Sequence, residues 1–307
     1  MTNDKKSEIG EAETTNDQSR LDVFNQHRGL LFSIAYRMLG TVADAEDMLQ
    51  ETFLRWQNAS SNEINSPRAF LVTIISRLCI NHLQSAKVKR EEYFGQWLPE
   101  PLLTGPATDF SDSLQIDESL SMAFLVLLER LNPIERAVFL LREVFDYQYS
   151  EIAGVVGRNE ADCRQILRRA RQHVSQLRPR FDASPKQHEA LLRQFREASA
   201  NGDLEGLLAV LSKDVIIYTD GGGKAPALPR ILYGREDVAE SFLEAYKKRV
   251  PKDVVSQYVQ VNGQPGIINY TNGQPRTVIT FDILDDQIQN IYVVTNPEKL
   301  ERLPRLA

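Results

Sequence analysis

The sequence predicts a multidomain chain, two all-α domains followed by an α+β domain, and three observations carry that prediction. Apolar residues recur at three- and four-residue spacing between residues 21 and 90 and again between 114 and 178, the period of amphipathic helices. Beyond residue 250 the pattern changes to short β-branched runs divided by Asn262-Gly263 and Asn272-Gly273, which are hairpin-turn signals. Between these blocks, residues 91–113 and 179–186 are richer in proline and polar residues and read as linkers.

Composition narrows the function classes. A chain of 307 residues is too long for one small core, and its 42% hydrophobic and 25% charged residues are those of a soluble globular protein. No apolar run approaches the roughly 20 residues needed to cross a bilayer, and the N-terminus has no signal-peptide pattern, so the expected location is cytoplasmic. Cys79 and Cys163 fall on apolar helical positions and read as buried thiols. His27, His82, His173 and His188 show no metal-ligand spacing, so neither a metal nor a cofactor is expected. A net charge of −6 argues against non-specific coating of nucleic acid, although the basic residues are clustered.

The elements follow in order. Residues 1–20 are polar and acidic, with almost no large apolar side chains, and are expected to be disordered. Residues 21–57 predict two helices broken at Gly40-Thr41. In the second, Ala45, Met48, Leu49, Phe53 and Trp56 share one face, and Glu46, Asp47, Gln50 and Glu51 the other. Thr41 and Asp44 can cap its first turn. By spacing alone, that acidic face reads as a solvated one. Ser66-Pro67 opens a third helix with a stripe from Phe70 to Leu83, which leaves Arg77, Asn81, Lys87 and Arg90 on its outer side or beyond its end. Such a basic end is either solvated or a surface for phosphates.

The first linker contains Trp97-Leu-Pro-Glu-Pro101. Its prolines favour an extended segment, and its tryptophan is either an anchor for a pocket or a cover for a neighbouring domain's edge. Helical stripes resume on either side of Asn132-Pro133. Ser150 can cap a short helix that stops at Gly157, and Asn159 can cap the next. Two short helices joined at a glycine, the second basic, form a helix-turn-helix pattern. Its outer face carries Arg164, Gln165, Arg168, Arg169 and Arg171, which suit bases and phosphates.

The C-terminal block predicts two helices around Asn201-Gly-Asp203, a strand at 215–218, a helix within 234–250, and strands at 254–261, 266–271, 276–284 and 288–294. Asp220-Gly-Gly-Gly-Lys224 ends the first strand. Its glycines can adopt conformations closed to other residues and admit a close backbone approach. The run lacks the spacing and the Ser/Thr of a phosphate-binding P-loop. Tyr218, Asp220, Tyr233 and Asp282 could supply a carboxylate–tyrosine site, but no histidine follows His188, so the chain is not expected to be an enzyme.

Residues His27–Gly40 followed by the Asp44–Trp56 helix resemble the sigma-2 domain of extracytoplasmic-function sigma factors. That resemblance implies core RNA polymerase as a partner, contacted by Asp44, Glu46, Asp47, Gln50 and Glu51. It also implies a melted minus-ten promoter element held by Arg77, Asn81, Lys87 and Arg90. Leu131–Arg142 with the following hairpin resembles the sigma-4 helix-turn-helix domain, which implies a double-stranded minus-thirty-five element read by Arg164, Gln165, Arg168, Arg169 and Arg171. Asn201–Leu211 followed by a strand resembles the SnoaL-like branch of the nuclear-transport-factor-2 superfamily, which implies a cone-shaped α+β domain.

Trp97–Pro101, Asp220–Lys224 and Asn296-Pro-Glu-Lys-Leu300 together resemble the signature of sigma factors with a fused SnoaL-like extension, viewed as a built-in regulator. The implied interdomain contacts are Trp97, Pro99, Pro101, Asp220, Gly221, Gly222, Gly223, Lys224, Asn296, Pro297 and Lys299. The implied organisation is a tail (1–20), sigma-2 (21–90), linker (91–113), sigma-4 (114–178), linker (179–186) and SnoaL-like domain (187–307). The glycine loop and the 296–300 segment are expected to dock on the sigma-2/sigma-4 pair. Two rivals remain at this stage. A stand-alone helix-turn-helix regulator with a ligand-sensing domain would bind its promoter without polymerase. A SnoaL-like enzyme with a DNA-binding appendage would lose turnover on changing Asp220 or Asp282.

Overall fold

The computed structural model describes residues 4–60, 64–91, 93, 95–104, 118–175, 185–251 and 253–306, leaving out the side chains of 4–18, 86–91, 175, 185–187 and 249. The chain divides into two units. One comprises residues 1–85, 112–115 and 131–172, the other residues 86–111, 116–130 and 173–307.

The first unit is helical. Its elements are α1 (Asp4–Leu39), α2 (Val42–Gln57), most of α3 (Pro67–Glu91), α5 (Pro133–Glu143), α6 (Tyr149–Val156) and most of α7 (Glu160–Ser175). Gly40, at φ +76°, separates α1 from α2, and the Thr41 hydroxyl accepts from the Asp44 N–H at 3.3 Å to cap α2. The apolar face of α2 buries Val42, Ala45, Leu49 and Trp56, together with Thr52, whose hydroxyl turns back to the Met48 carbonyl at 2.7 Å.

Helix α1 begins at Asp4, within the segment expected to be disordered. That segment has no proline to break a helix, and Arg20 fixes its far end. The Arg20 guanidinium donates to the terminal carbonyls of α2 at Trp56 (2.6 Å) and Gln57 (2.8 Å), and the Trp56 indole donates to the Arg20 carbonyl at 2.9 Å.

Helix α5 opens on a capping box between Asn132 and Glu135. Helix α6 starts one residue before the expected cap: Gln148, not Ser150, is the N-cap, and its N–H donates to Glu151 at 2.8 Å. Gly157 ends α6 in the left-handed region at φ +66°, and the Asn159 side chain accepts from the Asp162 N–H at 2.8 Å to start α7.

The second unit is α+β. It contains α4 (Met122–Leu128), α8 (Pro185–Asn201), α9 (Leu204–Val210), α10 (Arg235–Arg249) and a six-stranded sheet. The strands are β1 (Leu211–Asp220), β2 (Leu232–Tyr233), β3 (Val255–Val261), β4 (Gln264–Thr271), β5 (Gln274–Leu284) and β6 (Gln287–Val294), in the order β2-β1-β6-β5-β4-β3. Strands β3 to β6 form the antiparallel meander, and β1 returns parallel to β6. Asn262, Asn272 and the Asp285-Asp286 pair take positive φ in the three hairpin turns, which Asn and Asp tolerate. Strand β1 is longer than expected, and β2, at two residues, is too short to show alternation.

The sheet buries both faces. On one, α8, α9 and α10 pack around Phe195, whose ring meets Phe242 at 4.8 Å and Phe281 at 5.2 Å in edge-to-face contacts. On the other lie Leu98 of the linker, Met122 and Ala123 of α4, and Leu300 and Leu303 of the C-terminal segment. Sequence spacing assigned α4 to the preceding all-α block. It is apolar all round, Met-Ala-Phe-Leu-Val-Leu-Leu, and such a helix needs cover on more than one side. Among the described residues no helix is long and apolar enough to cross a membrane.

Candidate functional site

Three motifs far apart in sequence converge on one carboxylate. Asp220 is the last residue of β1 and is 0% exposed. Its Oδ1 accepts from the Tyr93 hydroxyl at 2.6 Å and the Gly222 N–H at 3.0 Å. Its Oδ2 accepts from the Leu98 N–H at 2.8 Å and from Lys299 Nζ at 2.7 Å. The Asp220 carbonyl accepts from the N–H groups of Thr295 (2.8 Å) and Asn296 (2.9 Å). A carboxylate taken out of water needs such a set of donors and a cation to remain charged. The linker, the glycine loop and the 296–300 segment each supply part of it.

Each partner is itself held. Lys299 is 7% exposed; its ammonium also donates to the Leu98 carbonyl and sits 4.3 Å from the Trp97 ring centroid. Asn296 caps the short 3-10 turn at Pro297–Lys299 through the Glu298 N–H (3.1 Å) and donates to the Tyr93 hydroxyl at 2.9 Å. Burial and the neighbouring Asp220 carboxylate raise the Tyr93 phenol well above its ordinary range, so it stays a donor.

The glycine run is explained position by position. Gly222 (φ +59°) and Gly223 (φ +70°) occupy the left-handed region. A Cβ on Gly221 would meet the Ala225 carbonyl, and one on Gly222 would meet the Asn296 amide. Lys224 is different. It pairs with Glu298 where both are about half exposed, so the contact contributes only about 0–1 kcal/mol.

A second fastening lies further along the linker. Pro99 and Pro101 are buried, which fits a segment with few N–H groups to satisfy. The Thr104 N–H donates to the Gln260 carbonyl at 2.9 Å, and the Asn262 N–H donates to the Leu102 carbonyl at 2.7 Å. Leu103 thus bridges antiparallel to Val261 on β3, the edge strand. The linker adds itself to an open sheet edge. Glu100, 5% exposed, has Arg302 Nε at 3.9 Å. The glycine loop and the 296–300 segment therefore hold the 93–104 segment, a more specific target than the docking on the helical pair that sequence led us to expect.

The residues expected on polymerase and DNA lie in the first unit, apart from Lys87 and Arg90. Asp47 and Gln50 are exposed on α2, Glu46 and Glu51 are half-buried, and Glu51 pairs with Arg55 at 2.9 Å. Asp44 is drawn inward: it accepts from the Thr41 hydroxyl at 2.5 Å and faces His82 of α3 at 3.5 Å. Leu54, 54% exposed, continues the Asp47–Gln50 face; the spacing i, i+3, i+7 marks it, and sequence reading passed over it.

Arg77 is committed elsewhere. Its guanidinium donates to the carbonyls of Val155 (2.9 Å) and Gly154 (2.6 Å) at the C-terminal end of α6. Asn81 is exposed on α3, whereas the side chains of Lys87 and Arg90 fall outside the described residues.

On α7 all five expected residues are exposed. Arg164 pairs with Glu160 and Arg171 with Glu143, both at 2.7 Å, whereas Arg168 and Arg169 carry no ion pair among the described residues. Gln165 and Arg169 line a cavity of about 340 Å³ against the start of α5, together with Arg158. Arg158 is a further basic group, in the turn itself.

Of the residues considered for a catalytic pair, Tyr218 and Asp282 come together on the linker-bearing sheet face, Asp220 is consumed by the linker, and Tyr233 is 61% exposed at the sheet edge. Tyr93 and Arg302 were missed. They are single residues whose partners lie up to about 200 positions away, and no local spacing marks them.

The Sigma-70 region 2 profile matches residues 23–88 and the Sigma-70 region 4 profile residues 121–174. The latter begins at α4, so its first helix lies in the second unit. The chain is 36% identical over 298 residues to the ECF RNA polymerase sigma factor SigJ of Mycobacterium tuberculosis, covering 93% of this chain and 94% of that protein. It is 33% identical over 279 residues to the probable ECF RNA polymerase sigma factor SigI of the same organism, covering 90% and 93%. The crystal structure of Mycobacterium tuberculosis SigJ superposes with a TM-score of 0.76 at 35% identity, covering 92% of this chain and 98% of that one.

Proposed function

The chain belongs to the extracytoplasmic-function sigma factors of bacterial RNA polymerase, and we propose that its C-terminal α+β domain controls it in cis by holding the linker between regions 2 and 4. As a sigma factor it directs core polymerase to specific promoters and acts in the cytoplasm with that enzyme. The outer face of α2, with Asp47, Gln50 and Leu54, meets polymerase. Helix α3, with Asn81, Lys87 and Arg90, meets the melted minus-ten strand, and α7 meets the minus-thirty-five element. Arg77 joins the minus-ten contact only after leaving the end of α6.

The observation that carries the cis-control reading is the Asp220 site. One fully buried carboxylate binds two linker groups, Tyr93 and the Leu98 N–H, and orders the loop and tail that cover them. In this family the linker runs through the polymerase between the two promoter-reading domains, so a linker fastened to the sheet is withheld from that path. Control of this kind needs a difference of about 1–3 kcal/mol between the fastened and released states, a 5- to 150-fold change. The C-terminal domain acts as a regulator and not as an enzyme. Supporting this, Phe195, Phe242 and Phe281 fill the helix-bearing face of the sheet.

Run-off transcription with core polymerase and a cognate promoter tests the reading. Full-length Asp220→Asn and Lys299→Met are expected to change promoter-specific transcript about 5-fold or more at limiting core. Output equal to that of the unaltered chain from both variants sinks it. Point variants are the better comparison than deletion of the domain, because deletion would expose Leu98, Met122 and Ala123.

A further inference from the structure

A cavity of about 240 Å³ lies between α4 and the sheet face that carries the linker. Its floor is built from cross-strand neighbours: Asn290 on β6 stands opposite Asp282 on β5, and Tyr292 stands beside Tyr218 on β1. The two tyrosine rings stack with centroids 5.3 Å apart and planes 11° apart. Its roof is apolar, with Ala123, Val126 and Leu127 of α4.

Asp282 is the unusual group. It is 5% exposed, and one carboxylate oxygen accepts from the Asn290 amide at 2.8 Å. Among the described residues no cation pairs with it. Arg130, exposed at the end of α4, and Asp214 on β1 are the other charged groups on the cavity wall. Burial raises the Asp282 carboxyl to about 6, which still leaves it ionised at neutral pH. Next to Tyr292, the Thr280 hydroxyl is buried without a hydrogen-bond partner among the described residues. A buried anion that no side chain neutralises, open to a cavity beside aromatic rings, is the inverse image of a cation with an apolar body.

We propose that this cavity binds a small organic amine, its ammonium on Asp282 and its apolar body between the Tyr218–Tyr292 pair and the underside of α4. Helix α4 opens the region 4 match, so an occupant would fix the start of that region on the sheet. This consequence for transcription rests on the cis-control reading, whereas the binding does not.

Calorimetric titration of the full chain with benzylamine, against the neutral isostere benzyl alcohol, tests it. Saturable 1:1 binding of benzylamine is expected, with benzyl alcohol and the Asp282→Asn variant each at least ~10-fold weaker, and Asp285→Asn in the exposed turn unchanged. Should Asp282→Asn fail to fold, tyrosine ring shifts at Tyr218 and Tyr292 on adding benzylamine to the unaltered chain locate the site independently. No saturable binding by benzylamine, phenethylamine or pentylamine at millimolar concentration overturns the proposal. So does equal affinity for benzyl alcohol, or binding that leaves both tyrosines unshifted. Binding that slows amide exchange in α4 yet leaves transcript unchanged would keep the site and discard the cis-control reading.

Discussion

Asp220 and Asp282 occupy the same face of the same sheet, on strands β1 and β5, and are 0% and 5% exposed. Their surroundings are opposite. Asp220 is saturated by a lysine, a phenol and two backbone N–H groups, and every donor belongs to a segment that would otherwise lie loose on the sheet. Asp282 has one amide and a cavity. The difference teaches that burial alone assigns no role to a carboxylate. A complete donor set turns the charge into a fastening, and an incomplete one leaves a place for a ligand.

The comparison breaks most visibly at Lys299. Lys299→Met leaves the Asp220 carboxylate buried without its cation, and the expected loss is about 3–5 kcal/mol in chemical denaturation of the full chain. Replacing both residues, by Asp220→Leu with Lys299→Met, is expected to cost less than the single change. A double variant less stable than Lys299→Met would contradict the ion-pair account.

At Asp282 the sign reverses. Its folded-state value near 6 lies above the ordinary 3.8 because burial disfavours the charge. Between those values the folded chain holds a proton that the unfolded chain has released, so this group's contribution to stability falls as pH rises through 6. Asp282→Asn is therefore expected to stabilise the chain by about 1–3 kcal/mol at neutral pH, with the gain vanishing toward about pH 4. A pH-independent difference in melting temperature would show that the carboxyl is not the cause.

Tyr93→Phe removes one donor to Asp220 and leaves the ion pair intact. The expected cost is about 1 kcal/mol, with faster amide exchange at Leu98 as the specific readout. Lys224→Ala marks the small end of the scale. The exposed pair with Glu298 predicts a change below about 0.5 kcal/mol, although Lys224 belongs to the same sequence motif as Asp220. A large effect there would mean that the loop acts through its lysine and not through its glycines.

Elements set by local chemistry were legible in the sequence. The Thr41 cap, the Gly157 stop, the Asn159 cap and the Asn-Gly hairpins depend on residues within a few positions of one another. The three motifs around Asp220 were recognisable as a set, but spacing could not show that they meet at one carboxylate or that Tyr93 completes it. Longer-range placement was hidden. Arg77 sits on a basic helix face and reads as a nucleic-acid contact, yet its guanidinium ends on α6, some 78 residues away. Helix α4 reads as part of the region 4 block and lies within the region 4 match, but its packing on the sheet was hidden because periodicity describes what a helix buries and not what covers it.

The central claim is that the linker must leave the sheet before the chain can serve polymerase. Leu103 and Val261 form an antiparallel bridge, a spacing that a disulfide can span. The double variant Leu103→Cys, Val261→Cys should therefore lock the linker when oxidised and free it when reduced, with the native Cys79 and Cys163 both buried. Run-off transcription should fall at least ~10-fold on oxidation and recover on reduction. Equal transcript from the cross-linked and reduced forms would contradict the account.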